Sequence, residues 1–147
     1  MIKNFVSSRR MISLLLIIGA TILQSIASTP TQKTKTIAAK QQLPIPVQQQ
    51  IEAVNAGDIE RWLSLFSTQA IVNDWGRVFQ GRDKIRAWSD KEFIGAKGQL
   101  KILNILTEGN KTIVDASWKS NFYSGDSRFI FMIHADKISE MRITSLK

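Results

Sequence analysis

The sequence predicts an α+β domain in which three helices precede an antiparallel sheet of long strands. Apolar side chains recur at helical spacing between residues 47 and 93, and from residue 99 onward they alternate with a period of two. Turn signals rich in Gly, Asn and Asp divide this second region into four runs that suit consecutive hairpins. Helices that are segregated from an antiparallel sheet along the chain define the α+β class.

The first two helices are short and are joined by one glycine step. Val47, Ile51 and Val54 form a single apolar stripe. Gly57 suits the left-handed position that ends a helix, and Asp58 is a good N-cap for the next one. The apolar face of the second helix comprises Ile59, Trp62, Leu63 and Phe66. We therefore expect a tight helical hairpin.

Two short strands and a third helix follow this hairpin. Residues 70–75 and 77–79 are the strand candidates, and a glycine follows each of them closely. We expect the third helix at residues 82–93, with Ile85 and Trp88 on its apolar side.

The remainder of the chain predicts a meander of four strands. Their expected positions are residues 99–108, 112–121, 127–134 and 138–144. Hairpin turns are expected at Gly109-Asn110, Ser124-Gly125-Asp126 and Ala135-Asp136. In the second of these strands Val114, Ala116 and Trp118 point to one face, whereas Ile113 and Asp115 point to the other.

The formal charge of +8 does not indicate nucleic-acid binding. Six of the 20 basic residues precede Pro44, whereas all 12 acidic residues follow it, so the folded part is almost neutral. The chain has no cysteine and one histidine, which excludes a disulfide framework, a thiol nucleophile and a multi-histidine metal site. We expect no metal, no cofactor and no nucleic-acid partner.

The N-terminus has the pattern of a secretory signal peptide. Residues 1–10 carry basic but no acidic side chains, an apolar run covers residues 11–22, and Ser25 and Ala27 are small residues that suit cleavage after Ala27. An uncleaved membrane anchor is the alternative, because the run extended to Ala27 approaches the shortest spanning length. Either reading predicts a secreted or periplasmic domain, in contact with a membrane only through an uncleaved segment.

The predicted domain organisation has three parts. Residues 1–27 are the signal peptide or anchor, and residues 28–43, which are polar and rich in Thr and Gln, form a flexible linker. Residues 44–147 form the folded domain.

The order of these elements resembles the nuclear transport factor 2-like superfamily, and within it the SnoaL-like and ketosteroid-isomerase-like branch. Residues 51–58 resemble the family's first helix and Gly-Asp turn, residues 70–76 its first strand with the AxxxD pattern, and residues 81–88 its G-R-[DE]-x-I helix start. With the meander, the resemblance covers residues 47–144. It implies that the sheet is strongly curved and that the helices close it into a cone-shaped, cystatin-like roll around an apolar pocket.

The pocket that the resemblance implies would be lined by aromatic side chains. The candidate wall residues are Trp62, Trp75, Trp88, Trp118, Phe79 and Phe129. Each of these rings could instead fill the core. Gln50 falls where the family has a catalytic tyrosine, and its amide can still donate a hydrogen bond.

Asp74 is the candidate catalytic residue, because the resemblance places it where the isomerase branch has its general base. A carboxylate against apolar walls loses hydration, which raises its proton affinity. The structural alternatives are a solvated strand end and an ion pair with Arg77. Arg128, which begins a strand, either lies at the surface or faces the pocket, where it would bind an anion or hold Asp74 ionised. Arg128 could also join Asp74 and either Asp115 or Asp90 in the water-positioning set that the epoxide-hydrolase branch of the family uses.

Three functions remain open at this point. The favoured one is non-catalytic binding of a small hydrophobic or aromatic molecule, since the isomerase machinery is incomplete. The second is an isomerase, cyclase or hydrolase that uses Asp74 as general base. The third is an interaction module that forms a homodimer through the open sheet face, with area supplied by Ile102, Ile105, Ile113 and Phe131.

Overall fold

The computed structural model describes residues 42–146, which contain three helices and one six-stranded sheet. The helices are α1 (Ile45–Ala56), α2 (Ile59–Ser64) and α3 (Arg82–Glu92). The strands are β1 (Phe66–Asp74), β2 (Arg77–Gln80), β3 (Gln99–Glu108), β4 (Lys111–Lys119), β5 (Ser124–His134) and β6 (Lys137–Ser145). The predicted signal peptide and nearly all of the predicted linker lie outside the described residues. Among residues 42–146 no helix has the length and apolarity needed to cross a membrane.

The predicted helical hairpin is confirmed, with a shorter second helix. Gly57 has φ 68° and ends α1, and the Asp58 side chain caps α2 by accepting a hydrogen bond from the Arg61 amide at 3.0 Å. The predicted placement of Phe66 in α2 is wrong, because Phe66 begins β1 and pairs with Ile138 of β6. The Phe66 ring still packs against Trp62 of α2 in the core. Its spacing in the sequence therefore fitted the apolar face of a helix.

The six strands follow the order β2-β1-β6-β5-β4-β3. Every neighbouring pair is antiparallel except β1 and β6, which run parallel. Register shifts interrupt β1, β3 and the β5–β6 pairing, and such bulges bend strands. The result is a curled, unclosed sheet preceded by helices, which confirms the predicted α+β fold class.

The turn between β4 and β5 lies earlier than the sequence predicts. Residues Ser124 to Asp126 belong to β5, and the chain reverses at Ser120–Tyr123 instead. The Ser120 hydroxyl accepts hydrogen bonds from the amides of Phe122 and Tyr123, at 3.3 and 3.2 Å. A serine that binds amides two and three residues ahead stabilises a turn without glycine.

One face of the sheet and the three helices share a hydrophobic core. Its fully buried members include Val47, Trp62, Phe66, Ile85, Phe129, Phe131 and Met141. The expectation that Phe131 supplies an outer dimer surface is therefore wrong. Ile102 and Ile105 are not buried in this way, and Ile102 is 37% exposed, but their pairing with Ala116 and Val114 places them on the core side of the sheet and not on its outer face. Ile113 alone of the four predicted residues lies on the outer face, and a homodimer stays a prediction.

Candidate functional site

A cavity of about 310 Å³ opens between α3, the end of β1 and the β4–β5 turn. This volume lies within the usual range of small-molecule sites. Its wall is mainly aromatic, its rim carries exposed aromatic rings, and a small group of charged side chains lies at one edge.

Four rings form a continuous stack, and three of them, Trp88, Phe93 and Trp118, line the cavity. Phe79 stacks on Trp88 at 5.4 Å, Trp88 on Phe93 at 5.1 Å, and Phe93 on Trp118 at 4.7 Å with only 6° between the planes. Trp88 lies on the buried face of α3, and Phe93 follows the last turn of that helix. Trp88 and Phe93 therefore each stack with two other rings. The stack is a rigid, apolar wall.

The indole of Trp118 lies directly against the backbone of Gly98. A Cβ atom added at residue 98 would come within 1.9 Å of the Trp118 ring. Glycine at this position therefore lets β4 place a full indole beside Phe93, and the ring is only 7% exposed.

The β1–β2 hairpin places the charged edge of the cavity. Trp75 and Gly76, the two residues of its turn, both have positive φ, at 51° and 93°. Positive φ at both central residues is the mark of a type I′ turn, in which tryptophan is an unusual first residue. This turn places Asp74 directly opposite Arg77 in the strand register and leaves the Trp75 side chain 56% exposed at the cavity rim.

Arg77 joins two carboxylates at this edge. Its Nη2 atom donates to Asp74 Oδ2 and, at 2.7 Å, to Glu92 Oε2, while its guanidinium lies 5.7 Å from the centre of the Phe79 ring. The hydrogen bonds to Glu92 and Asp74 raise the pKa of Arg77 above its usual value. The same contact with Arg77 lowers the pKa of Glu92. Both shifts favour the charged forms of Arg77 and Glu92.

Asp74 also accepts a hydrogen bond from the wall. The Trp88 indole N–H donates to Asp74 Oδ2 at 3.3 Å, so both of its donors use the same oxygen. Within residues 42–146, Oδ1 accepts no hydrogen bond, and the Asp74 side chain is 14% exposed. This oxygen is available to a molecule in the cavity.

Three aromatic side chains form the rim of the cavity. Trp75, Phe122 and Tyr123 are 56%, 76% and 50% exposed. None of them stacks on another ring in the described part of the chain. Tyr123 lies over Gly125, where an added Cβ would come within 2.3 Å of the tyrosine oxygen. The rim is therefore unusually apolar for a solvent-exposed surface.

The structure brings four of the seven predicted site residues together. Asp74, Trp75, Trp88 and Trp118 line the cavity. Gln50 and Trp62 do not line it. Their side chains are fully buried in the core, where Gln50 donates to the Met141 sulfur at 3.5 Å and Trp62 packs edge-on against Phe66.

Arg128, the seventh of the predicted site residues, lies on the outer face of the sheet. It binds Asp115 through two hydrogen bonds of 2.7 and 3.0 Å, and this contact lowers the pKa of Asp115. The expected set of Asp74, Arg128 and Asp115 does not form, because the strand register places Asp74 on the opposite face. Asp74 forms the ion pair with Arg77 that was one of the structural alternatives, and it also lines the cavity, so its catalytic role stays a prediction.

Sequence reasoning missed Glu92, Phe93 and Phe122. Glu92 stands four residues after Trp88, so helical periodicity places both on one side of α3 and could have identified it. Phe93 is the last residue of the predicted third helix but was not assigned to its apolar side, and it lies just beyond the end of α3. Phe122 lies in the β4–β5 turn, where periodicity carries no signal. Among residues 42–146 no group of three acidic, histidine or cysteine side chains is placed to hold a metal ion.

The curled sheet, the helices that cover it and the cavity between them define a pocket domain of the nuclear transport factor 2-like superfamily. The sequence model of the SnoaL-like domain matches residues 47–144. The chain therefore belongs to the SnoaL-like domain family, which confirms the resemblance on which the sequence analysis relied.

Several solved structures share this fold. A protein of Sinorhizobium meliloti, named as a presumed polyketide cyclase, is 24% identical with a TM-score of 0.63, and the match covers 69% of this chain and 95% of that one. An NTF2-like protein of unknown function from Cytophaga hutchinsonii is 14% identical with a TM-score of 0.62, covering 71% and 92%. RV0760c from Mycobacterium tuberculosis, in complex with estradiol-17beta-hemisuccinate, is 18% identical with a TM-score of 0.63, covering 71% and 95%. No curated protein sequence matches the chain.

Proposed function

We propose that this domain binds a small hydrophobic or aromatic molecule in the cavity and does so without catalysing a reaction. The observation that carries the proposal is the stack of Trp88, Phe93 and Trp118 along one side of a cavity of about 310 Å³. Rings that are already packed lose little conformational entropy when a ligand arrives. Burial of the ligand's apolar surface then contributes about 25 cal/mol per Å² before the costs of association. The steroid derivative bound by the structural relative RV0760c supports the same use of the fold.

A cavity-filling variant tests this proposal. Ser127 lines the cavity and is 2% exposed, so Ser127→Leu should occupy part of the space and weaken binding at least tenfold, which is about 1.4 kcal/mol. Ser117→Leu is the matched control, because it adds the same side chain to the outer face of the sheet. Native mass spectrometry of the purified protein would detect a retained ligand, and equilibrium dialysis with naphthalene derivatives would measure affinity. Equal affinities for the two variants would contradict the proposal.

Proton transfer by Asp74 is a second candidate function. It is favoured by the free Oδ1 atom of a carboxylate that lines the cavity. If Asp74 is a general base, a ligand recovered from the protein should exchange an acidic C–H for deuterium in heavy water, and Asp74→Asn should abolish that exchange while the variant still folds and binds the ligand. A ligand that binds but shows no exchange would leave non-catalytic binding as the function.

We also propose that the domain is exported to the periplasm or secreted. The support is the sequence alone, namely the basic start, the apolar run and the small residues before Ser28. The full-length chain should appear in a periplasmic extract of a Gram-negative host, and N-terminal sequencing should begin at Ser28 if the segment is cleaved. Recovery of the intact chain from the membrane fraction would instead favour the anchor.

A further inference from the structure

We propose that the ligand is a hydrophobic cation, in which an ammonium or quaternary ammonium group is attached to an apolar body. This inference rests on the proposed function, since it requires that the cavity binds a small apolar molecule. It adds the charge of the ligand, which neither the fold nor the family determines.

The first argument is the charge of the cavity edge. The charged side chains that line the cavity are Asp74, Glu92 and Arg77, which together carry one net negative charge. Arg77 binds both carboxylates through Nη2, so its positive charge is already compensated. The remaining net negative charge would repel an anionic head group and attract a cationic one.

The second argument is the free acceptor on Asp74. Arg77 and Trp88 both donate to Oδ2, which leaves Oδ1 open to a ligand. Trp88 holds the carboxylate against the aromatic wall, and the side chain is largely shielded from solvent. A cationic group beside Oδ1 would be attracted more strongly there than by a fully hydrated carboxylate.

The third argument is the aromatic rim. The faces of Trp75, Phe122 and Tyr123 are not stacked on other rings in the described residues, unlike those of the wall. Cations bind to the faces of such rings, and several rings around one cation form the usual site for quaternary ammonium groups. Trp75 follows Asp74 directly in the chain, so the free carboxylate oxygen and one such ring lie at the same edge.

These three features assign the two ends of the ligand to two parts of the site. The apolar body lies against the aromatic wall, and the cation lies at the rim between Asp74 and the exposed rings. Because Glu92 and Arg77 are about half exposed, salt should screen part of the attraction. The preference for a cation should therefore be moderate and should decrease as ionic strength rises.

Three probes that share one apolar body test the inference by equilibrium dialysis of the purified domain. They are (2-naphthylmethyl)trimethylammonium, its neutral analogue with carbon in place of nitrogen, and 2-naphthylacetate. We expect the cation to bind at least about tenfold more tightly than the neutral analogue, and the anion to bind most weakly. The ratio of the cation to the neutral analogue should decrease at high salt.

Charge variants at the site should move this ratio in opposite directions. Glu92→Gln removes a negative charge and should weaken cation binding, whereas Arg77→Gln removes the positive charge and should strengthen it. Glu140 and Arg142 form a similar exposed pair on the outer face, so Glu140→Gln and Arg142→Gln are matched controls that should change nothing.

The outcomes separate this inference from the proposed function. If the neutral analogue or the anion binds as tightly as the cation, the cavity binds small molecules but the inference about charge is wrong. If none of the three probes binds at millimolar concentration, both the proposed function and the inference fail. Opposite effects of Glu92→Gln and Arg77→Gln, absent from the controls, would support the inference.

Discussion

Gly98→Ala should destabilise the domain through a single contact. The backbone of Gly98 does not need the left-handed conformation, so alanine carries no conformational penalty there. Its Cβ atom, however, would come within 1.9 Å of the Trp118 ring. The indole cannot retreat easily, because Phe93 stacks on it at 4.7 Å.

The size of the effect follows from this overpacking. Forcing an extra carbon into a packed site typically costs about 1–3 kcal/mol. For a domain of roughly 100 residues each kcal/mol lowers the melting temperature by about 4–8 °C. We therefore expect Gly98→Ala to melt about 5–20 °C below the unaltered protein.

Gly125→Ala provides the matched comparison. Its Cβ would also meet an aromatic side chain, at 2.3 Å, but the contact is the hydroxyl at the end of Tyr123, which is half exposed and can swing away. Both variants are measured by thermal unfolding followed by near-UV circular dichroism. The reasoning is refuted if Gly98→Ala melts with the unaltered protein, or if Gly125→Ala loses as much stability.

Three further predictions concern the two faces of the sheet and the hairpin turn. Asp115→Asn should lower the free energy of unfolding by about 1–2 kcal/mol, because it removes the charge that pairs with Arg128. The loss is moderate because Arg128 is about a third exposed and solvent screens the pair. The pKa of Asp115 is lowered in the fold, so urea titrations should show its contribution intact above the usual value of 3.8 and lost as pH falls through the lower folded pKa. Phe131→Ala should cost about 3–5 kcal/mol in urea unfolding, against a smaller loss for Ile113→Ala on the outer face. Trp75→Asn should stabilise the hairpin by about 1 kcal/mol in thermal melts, because it relieves a residue with φ 51°, and should weaken binding of the naphthyl cation.

The elements with strong periodicity could be predicted from the sequence, and those set by tertiary pairing could not. The third helix and the four meander strands lie within a few residues of their expected positions. Phe66 was misplaced because its spacing from Trp62 also fits a helix, and only the parallel pairing with Ile138 makes it a strand residue. Nothing near Phe66 in the sequence indicates a partner more than seventy residues away.

The candidate site could be predicted in part for a similar reason. Asp74 interrupts an apolar strand and Trp88 lies on an apolar helix face, so both stood out in the sequence. Arg128 stood out equally in the sequence. The face of the sheet on which its side chain lies depends, however, on the strand register, which pairs Arg128 with Asp115 on the outer face. A period of two separates the faces of a strand without telling which face is the concave one.

Asp74 and Asp115 are both largely shielded carboxylates of the sheet that pair with an arginine, but their hydrogen bonds are arranged differently. Asp115 accepts its two hydrogen bonds from Arg128 on separate oxygens, so both oxygens have a partner and the pair stabilises the fold. Asp74 receives two donors on one oxygen and keeps the other free toward the cavity. Asp74 Oδ1 is not one of the buried side-chain atoms without a partner in residues 42–146, so the fold itself requires no further donor at this oxygen. A positively charged ligand would therefore use an acceptor that the fold leaves open, and for this reason the geometry of Asp74 bears on the charge of the proposed ligand more than on its shape.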